Sequence, residues 1–487
     1  MKSAKRPPVK KAIVWSFLQR ISEQGLKFGI GIALARLLEP EDFGLLAMVT
    51  VLTAISDKVI GLGLSSALIQ KDNADEIDCS TVFLTNLSFA LLIYAVLFAA
   101  APLVAGFYRE ESLTTILRVL ALTIIARAAY AIHTTLLTKR LDFKTPLRIG
   151  SIAVFVAGGV SIYLALQGFK VWALVAQPLT TSLLSCLLYW LHGSWTPTLA
   201  FSFPRLRSLA KFGFRITLIN VIEVTFNHLH AMVIGRVFNP VTLGFFARAK
   251  TLQQFATINI MAPLSQVVYP ALARIKSEPQ ELAKTYQRSL ALTALLIFPV
   301  MAGLALTADS VVYVLLGNKW METAPLLQIL CLVGALAPIR NQCSNALKAV
   351  GQLNTIIKIQ IIGRLFSLLA IIITYRIGVK AMVWGETLAT TLLIIAFLAA
   401  VSSRLNVSLT RQLNSLTPYA LASGIMSAGI LALPIETVPS HWIRLIVTVP
   451  IAAASYALVC GLIRAPAFVE TVSLAYRYIK RRSRTTS

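Results

Sequence analysis

The chain is poor in acidic residues and in cysteine. It has 20 aspartates and glutamates against 45 lysines and arginines, and only five cysteines among 487 residues. The cysteines are scattered, with neither a Cys-x-x-Cys pair nor the Cys/His spacing of a zinc site, which argues against disulfides and bound metal. A Walker lysine loop, a serine nucleophile elbow and a paired-carboxylate motif on a loop are also absent. We therefore expect a protein that is not an enzyme, is not driven by ATP and has no cofactor.

Polar stretches long enough to form an extramembrane domain are missing as well. Hydrophobic residues make up 57% of the chain and charged residues 13%, and the mean hydropathy is +0.75. This composition predicts an all-α polytopic membrane protein. In a soluble protein a net charge of +25 would suggest a nucleic-acid partner. Here the basic residues concentrate in alternate loops, so the charge indicates membrane topology and we expect no nucleic acid.

Hydropathy predicts fourteen transmembrane helices, because about 20 mostly apolar residues cross the hydrocarbon core of a bilayer. The predicted loops and tails on one side hold 27 lysines and arginines, counting Arg148, Lys211, Arg288 and Lys358 at the starts of the spans that follow, and the loops on the other side hold six, counting Lys380. Basic loops stay in the cytoplasm, so we expect both termini there. The predicted spans are 12–38, 43–66, 80–107, 113–137, 148–167, 171–191, 211–235, 241–270, 287–308, 323–347, 355–375, 380–401, 417–434 and 442–463.

An internal repeat relates the two halves of the chain. The segment 35–47, ARLLEPEDFGLLA, matches 235–247, GRVFNPVTLGFFA, at an offset of 200 residues. Both copies close an outward-running span and open the next, so the repeats share one membrane orientation. We therefore predict two six-helix lobes around a central cavity, followed by two extra helices. The predicted divisions are 1–203 for the first lobe, 204–403 for the second, and 404–487 for the last two spans and a basic tail.

The first span carries charges in the middle of an otherwise apolar helix. Arg20, Glu23, Gln24 and Lys27 stand at i, i+3, i+4 and i+7, so they share one helical face. Each charge would cost about 2.5–3.5 kcal/mol near the bilayer centre, so this face must meet protein or a water-filled cavity. One interpretation is an ion pair of Glu23 with Arg20 or Lys27 that only joins helices. The other is that this face lines a pathway for a charged, hydrophilic cargo.

Other predicted spans repeat this pattern, and their basic residues outnumber their acidic ones. Excess arginine and lysine suits an anionic cargo, and arginine binds phosphate through paired hydrogen bonds. Lys58 could alternatively reach the membrane interface. The candidate substrate-binding residues are Arg20, Lys27, Lys58, Arg127, Arg215, Arg248, Lys250 and Arg340. The candidates for coupling to an ion gradient are Glu23, Asp57 and Glu223, and plain charge balancing is the alternative for these three.

Six stretches of the chain match a known pattern: LARLLEPEDFGLLAM, GLSSALIQ, TKRLDFK, MVIGRVFNPVTLGFFARAKTL, VVYPALARI and LLGNKWMETAPLLQIL. They resemble the Wzx-type oligosaccharide flippases of the multidrug/oligosaccharidyl-lipid/polysaccharide exporter superfamily, in the branch with colanic-acid and teichuronic-acid exporters. The chain departs from that pattern at His228-Leu229-His230, where relatives often have Asn-Leu-Asp, so no carboxylate role is carried over there.

The resemblance implies a protein of the bacterial cytoplasmic (inner) membrane that flips a polyprenyl-pyrophosphate-linked oligosaccharide between leaflets. It also implies a cationic cavity formed by the first, second, seventh and eighth helices. The expected partners are this lipid-linked cargo, membrane lipid, and the glycosyltransferase and polymerase machinery. The alternative function is a multidrug/cation antiporter of the same fold, which would place carboxylates in the first lobe, where this chain offers mainly Glu23 and Asp57.

Overall fold

The computed structural model is helical and contains no strand in the residues that it describes. These are 9–60, 63–71, 74–193, 195–198, 200–275, 277–434 and 438–473, without the side chains of 9–14, 212–216, 219, 262–263 and 265–267. The predicted all-α class is therefore confirmed. The chain forms two compact units, 1–247 and 248–487. The predicted lobe boundaries rest on the repeat and on topology, and they stay a prediction.

The described residues of the first unit form eight helices, of different lengths, and the start of a ninth. Helix α9 begins in this unit and continues into the second one. The helices are α1 (Val9–Leu37), α2 (Pro40–Ile60), α3 (Leu64–Gln70), α4 (Glu76–Tyr108), α5 (Ser112–Lys139), α6 (Lys144–Leu166), α7 (Val171–His192), α8 (Phe203–Val237) and α9 (Pro240–Arg274).

Glycine and aspartate determine where two helices of this unit begin. Gly63 has φ +64°, a left-handed conformation that glycine adopts without strain, and α3 starts directly after it. The predicted second span, 43–66, is thus divided between α2 and α3. Helix α4 starts with a capping box in which the Asp75 carboxylate accepts from the backbone N–H of Asp78 and the Asp78 carboxylate accepts from that of Asp75.

Helix α8 starts at Phe203, eight residues before the predicted seventh span. The segment 203–212 is therefore the first part of this helix rather than a loop. Pro204 in its first turn favours a helix start. Leu209 is buried in a cluster with Ile132 of α5 and Leu64 of α3, and this packing continues the helix across a stretch that is too basic to look like a span.

The two copies of the repeat meet inside the first unit. Gly44, in the first turns of α2, lies against the backbone of Pro240, and Gly244, in the first turns of α9, lies against the backbone of Pro40. A Cβ atom at either glycine would collide with the facing proline carbonyl. The contact is reciprocal, as expected for two related segments facing each other across a two-fold axis. Glycine is needed at both positions because the backbones approach so closely.

The second unit packs its helices around a core that includes several buried polar groups. The Tyr286 hydroxyl donates to Gln412 Oε1 at 2.9 Å, and Gln342 Nε2 donates to the Thr293 hydroxyl at 3.0 Å. The helices are α10 (Pro279–Leu306), α11 (Ala308–Leu315), α12 (Thr323–Ala349), α13 (Leu353–Thr374), α14 (Val379–Leu405), α15 (Leu409–Asn414), α16 (Thr417–Ala432) and α17 (His441–Leu462), with a short 3-10 turn (Asn318–Trp320) and a last helical segment at 466–473.

Ten helical stretches among the described residues are long and apolar enough to cross a membrane. Their outward faces are apolar: Ile372 on α13 and Leu458 on α17 are 57% and 64% exposed, as expected for side chains that face lipid. The other four predicted spans fall on α1, α8, α9 and α16, of which α16 has only 16 residues. The protein is thus a multi-pass membrane protein, and the count of fourteen spans stays a prediction. A last helical segment covers 466–473, and the end of the basic tail lies outside the described residues.

Candidate functional site

The central part of α1 exposes two cations. Arg20 and Lys27 are both exposed and stand two turns apart on one face, about 10 Å along the axis at 1.5 Å per residue. Among the described residues, neither side chain has an ion pair or hydrogen bond, and neither pairs with Glu23. The interpretation of this face as an internal ion pair therefore finds no support in the structure. Two exposed cations can instead bind anionic groups.

Glu23 lies on the edge of this face that packs against α6. Its carboxylate accepts a hydrogen bond from Gln19 Nε2 at 3.2 Å. It lies directly against Gly150, where a Cβ atom would overlap it. Beside them, the hydroxyls of Ser22 and Ser151 are 3.1 Å apart and form a polar contact between α1 and α6. Glu23 is thus enclosed by protein on the side of α6, whereas Arg20 and Lys27 remain exposed.

Asp57 of α2 and Arg127 of α5 form an ion pair. Arg127 also donates through Nε to the Ser182 hydroxyl of α7, at 3.4 Å. These three residues connect three helices inside the first unit. The side chains of Arg127 and Asp57 are 42% and 26% exposed, so the pair is partly open to its surroundings. Lys58, the next residue on α2, is exposed and has no ion pair within the described part of the chain.

The remaining candidates lie on α8, α9 and α12. Glu223 is exposed on α8, and the side chain of Arg215 falls outside the described residues. Arg248 and Lys250 of α9 and Arg340 of α12 are each half-buried. Whether all of these residues share one cavity stays a prediction.

The polar face of α9 packs on α12 within the second unit. Gln253 is buried and donates through Nε2 to the Thr257 hydroxyl at 2.7 Å. The same amide lies against Gly334, where a Cβ atom would overlap it. This face is therefore partly used for packing.

Sequence analysis missed a cluster of ion pairs at the start of α4. Asp78 is fully buried and pairs with Lys71 at 2.6 Å and with Arg205 of α8 at 3.4 Å. Arg205 also pairs with Asp75 and lowers the pKa of that carboxyl to about 2 by its hydrogen bond. The signal in the sequence was the acidic stretch 72–78 opposite the basic stretch 203–212, both on the predicted cytoplasmic side. The cluster ties α8 to α4 at that end of the unit.

A metal centre has no support in this arrangement. Among the residues that the structure describes, no three His, Cys, Asp or Glu side chains converge in a way that could hold a metal ion. The five cysteines are free thiols. What the site offers is charge, with exposed cations on the apolar helices α1 and α2. Such cations can hold phosphate or carboxylate groups that would otherwise be expensive to bring into a membrane.

Comparison with curated proteins supports the resemblance noted in the sequence. The chain is 27% identical over 308 residues to the teichuronic acid biosynthesis protein TuaB of Bacillus subtilis, an alignment that covers 62% of each chain. It is 26% identical over 348 residues to the succinoglycan biosynthesis transport protein ExoT of Rhizobium meliloti, covering 71% of this chain and 70% of that one. The lipopolysaccharide biosynthesis protein WzxC of Escherichia coli is 23% identical over 361 residues, covering 74% and 73%. The match thus spans less than two thirds of the length of TuaB.

Solved structures with the same fold are membrane transporters. The lipid II flippase MurJ, in an inward closed conformation, superposes with a TM-score of 0.76 at 15% identity, covering 93% of this chain and 98% of that one. An inward-facing multidrug resistance transporter of the MATE family gives 0.65 at 15% identity, covering 81% and 98%. At such identity the likeness shows the fold alone.

A family model extends the similarity across the repeat. The model, described as polysaccharide biosynthesis protein, matches residues 33–325, which is more than half of the chain. The matched region includes both copies of the repeat, the Asp57–Arg127 pair and helices α2 to α11. On this evidence the chain belongs to the polysaccharide biosynthesis protein family.

Proposed function

We propose that this chain flips a polyprenyl-pyrophosphate-linked oligosaccharide repeat unit across the bacterial cytoplasmic membrane. The cargo's lipid tail stays in the bilayer, and its diphosphate and sugars pass along the polar faces of the helices. Membership of the polysaccharide biosynthesis protein family supports this function, and so does a fold shared with a lipid II flippase. The absence of nucleotide-binding and hydrolytic motifs from the sequence agrees with transport rather than catalysis.

The observation that carries the proposal is the pair of exposed cations on α1. Arg20 and Lys27 stand on one face of an apolar helix and have no ionic partner among the described residues. Removing either charge would make the helix cheaper to insert, so something other than membrane insertion favours them. Their separation of about 10 Å lets one meet the diphosphate while the other meets the glycan.

The remaining candidates take supporting roles in this mechanism. Lys58 and Arg215 of the first unit, and Arg248, Lys250 and Arg340 of the second, are further candidates to bind the anionic cargo. Arg127 contributes mainly by holding Asp57 and Ser182. Protonation or ion binding at Glu23, Asp57 or Glu223 resets the cycle. Of these, Glu223 is the one whose carboxylate is exposed.

The proposed cycle is alternating access between two lobes, 1–203 and 204–403, with 404–487 as an appended pair of helices and tail. Both termini lie in the cytoplasm. The cargo is delivered there by glycosyltransferases and is passed on to the polymerase machinery on the outer side. A drug/cation antiporter is less well supported, because Arg20, Lys27 and Lys58, the exposed charges along the membrane-spanning parts of α1 and α2, are cations that would repel such a substrate.

The test uses cells in which this chain is the only exporter of its polymer. Arg20→Ala and Lys27→Ala should each lower polymer export at least tenfold and raise the amount of lipid-linked repeat unit that stays on the cytoplasmic side. Arg20→Lys should fall between wild type and alanine, since lysine keeps the charge but loses the planar fork. Lys358→Ala is the control, because Lys358 is an exposed cation on α13 outside the candidate set.

Protein amounts in the membrane decide how a loss of export is interpreted. We expect both α1 variants to accumulate at near wild-type amounts, since each removes a charge from an apolar helix. Normal export by both would rule out the proposed mechanism. Loss of export that follows loss of protein would show that the charges only stabilise the fold. Export of cationic drugs by the wild-type chain would favour the antiporter.

A further inference from the structure

A cavity of about 220 Å³ lies at one end of α5, α6 and α7, away from the cations of α1. His133 and Arg140 line it from α5 and its C-terminal end, Tyr189 from α7, and Trp195 from the segment after α7. A molecule of liquid water occupies about 30 Å³, so the space corresponds to roughly seven waters. It is smaller than the roughly 300–1,000 Å³ of sites for drug-sized ligands. One pyranose ring with its substituents fits, whereas an oligosaccharide does not.

Arg140 gives the cavity an available positive charge. Its guanidinium is half-buried and has no ion pair or hydrogen bond in the described part of the chain. The neighbouring cation, Lys139, instead donates to the carbonyls of Leu68 and Lys71 and is therefore committed to holding α3. A guanidinium that lines a cavity without a partner favours an anionic ligand, which it can hold with two parallel hydrogen bonds.

The one carboxylate in the lining is already engaged. Asp142 Oδ1 accepts from the backbone N–H groups of Lys144 at 3.0 Å and Thr145 at 3.2 Å. Its Oδ2 accepts from the Thr145 hydroxyl at 2.8 Å. Asp142 therefore faces the positive end of α6, which compensates its charge. Asp142 does not form an ion pair with Arg140. Its Oδ2 has one lone pair left, so it can accept a hydrogen bond from one ligand hydroxyl.

Aromatic rings form the other walls and leave buried donors unused. His133 is only 4% exposed and is held edge-on between Trp190, at 5.0 Å, and Trp195, at 5.8 Å. Within the described chain, His133 Nε2 and Trp195 Nε1 are buried without a hydrogen-bond partner. Tyr189 stacks on Tyr130 at 5.1 Å, which fixes its ring. Flat aromatic walls next to hydrogen-bonding groups suit a sugar, whose faces are apolar and whose edges carry hydroxyls.

We propose that this cavity binds a single anionic sugar unit, such as a hexuronate or a hexose phosphate. Arg140 binds the acidic group, and the rings of Tyr189 and Trp195 contact the sugar. Under the proposed topology the cavity opens on the cytoplasmic side, where sugars are activated and lipid-linked units are made. The occupant is therefore either an acidic sugar of the cargo, an identification that rests on the proposed function, or a free acidic sugar of the cytoplasm.

The test measures binding of radiolabelled glucuronic acid, glucose 1-phosphate and neutral glucose to the full chain in lipid nanodiscs. We expect saturable binding of both acids and at least tenfold weaker binding of glucose. Arg140→Gln should weaken binding of the acids at least tenfold, and Arg140→Lys about three- to tenfold. Arg148→Gln is the matched control. Arg148 is an exposed cation in the first turns of α6, close in sequence to Arg140, and its side chain does not line the cavity. Thermal unfolding of each variant confirms that it is folded.

Absence of saturable binding, or equal binding by Arg140→Gln and the folded wild type, would overturn the inference. Competition identifies the source of the ligand. Displacement of glucuronic acid by the purified lipid-linked repeat unit supports a cargo sugar, and displacement by free sugar phosphates alone supports a soluble metabolite. Because no transport is involved, a chain that binds acidic sugars but does not flip lipid-linked units would contradict the proposed function and leave this site intact.

Discussion

At the level of single side chains, the charges of the first unit divide into those with a partner and those without. Arg127, Arg205 and Lys71 each meet a carboxylate. Arg20 and Lys27 meet none in the described chain. Paired charges in a membrane protein hold helices together, whereas unpaired ones need another reason to be retained. Under the proposed function, the first group serves the structure and the second group meets the cargo.

The Asp57–Arg127 pair gives a prediction about stability. Arg127→Gln and Asp57→Asn should each lower the Tm in detergent, because each leaves the other charge without its partner. The free energy of unfolding that the double variant loses should be smaller than the sum of the two single losses, by about 0.5–1.5 kcal/mol. The lower part of that range is expected because both side chains are partly exposed. Strict additivity in this double-mutant cycle would contradict the pair.

The Asp75–Arg205 contact gives a prediction about pH. Arg205 lowers the pKa of Asp75 to about 2, against about 3.9 in a model peptide. A lowered carboxyl pKa stabilises the folded state above the unfolded pKa, and this stabilisation is lost as pH falls through the folded pKa. The contact should therefore be insensitive to pH from 5 to 8 and weaken only between about pH 4 and 2.

Carboxyl NMR titration of aspartate-labelled protein measures this pKa directly. Arg205→Gln should move the Asp75 titration up toward the model-peptide value, whereas Arg207→Gln, two residues further along α8 and on its other side, should leave it unchanged. An Asp75 pKa that stays near 2 in Arg205→Gln would show that another group causes the shift.

At the level of helices, the repeat is the feature that most directly connects sequence and structure. Its two copies end α1 and α8 and begin α2 and α9 at corresponding positions, so the offset of 200 residues recurs in the helix ends. The sequence could not reveal that the two copies face each other, because the recurring glycines only permit a close approach. Which backbone fills the space is decided by tertiary packing.

Substitution of these glycines tests the contact between α2 and α9. Gly44→Ala and Gly244→Ala each place a methyl group into the facing proline backbone. We expect a loss of about 1–3 kcal/mol in stability from overpacking. Gly106→Ala is the control, since Gly106 lies in α4 with open space around its Cα, and alanine there should be neutral or favour the helix. Equal thermal stability for all three variants would contradict the reciprocal contact.

Other element boundaries depended on information that hydropathy does not carry. Hydropathy predicted most helices to within a few residues, because lipid-facing and core-facing side chains are both apolar. It placed the start of the seventh span at 211, since Arg205 and Arg207 look like loop residues. The structure extends α8 back to Phe203 because the pairing of Arg205 with Asp75 and the burial of Leu209 compensate for those charges.

The same limit applies to the candidate site. Charges within apolar segments are easy to find in a sequence, and Arg20, Lys27, Asp57 and Arg127 were found in this way. Their pairing depends on which helices are neighbours, so the Asp57–Arg127–Ser182 contact among α2, α5 and α7 was not predicted. The aromatic cavity around His133 was missed because its lining comes from three separate segments.

At the level of the whole molecule, the bias of basic residues predicts the membrane topology. In a cysteine-free variant, a cysteine at Ser440 should react with an impermeant maleimide in intact cells. A cysteine at Ser277 should react only after permeabilisation. Ser440 precedes α17 and Ser277 precedes α10, so the two positions report on opposite predicted sides. The reverse pattern would overturn both the topology and the parallel orientation of the repeats.

Under the proposed function, the unpaired cations of α1 carry an anionic, lipid-linked glycan across the membrane. The most direct measurement is flipping in proteoliposomes that contain the purified chain and a fluorescent polyprenyl-pyrophosphate oligosaccharide, followed by a quencher that reaches only the outer leaflet. We predict that the wild-type chain and Lys358→Ala equilibrate the cargo between leaflets, and that the double variant Arg20→Ala/Lys27→Ala slows this at least a hundredfold while remaining folded. Flipping by the folded double variant at the wild-type rate would contradict the account.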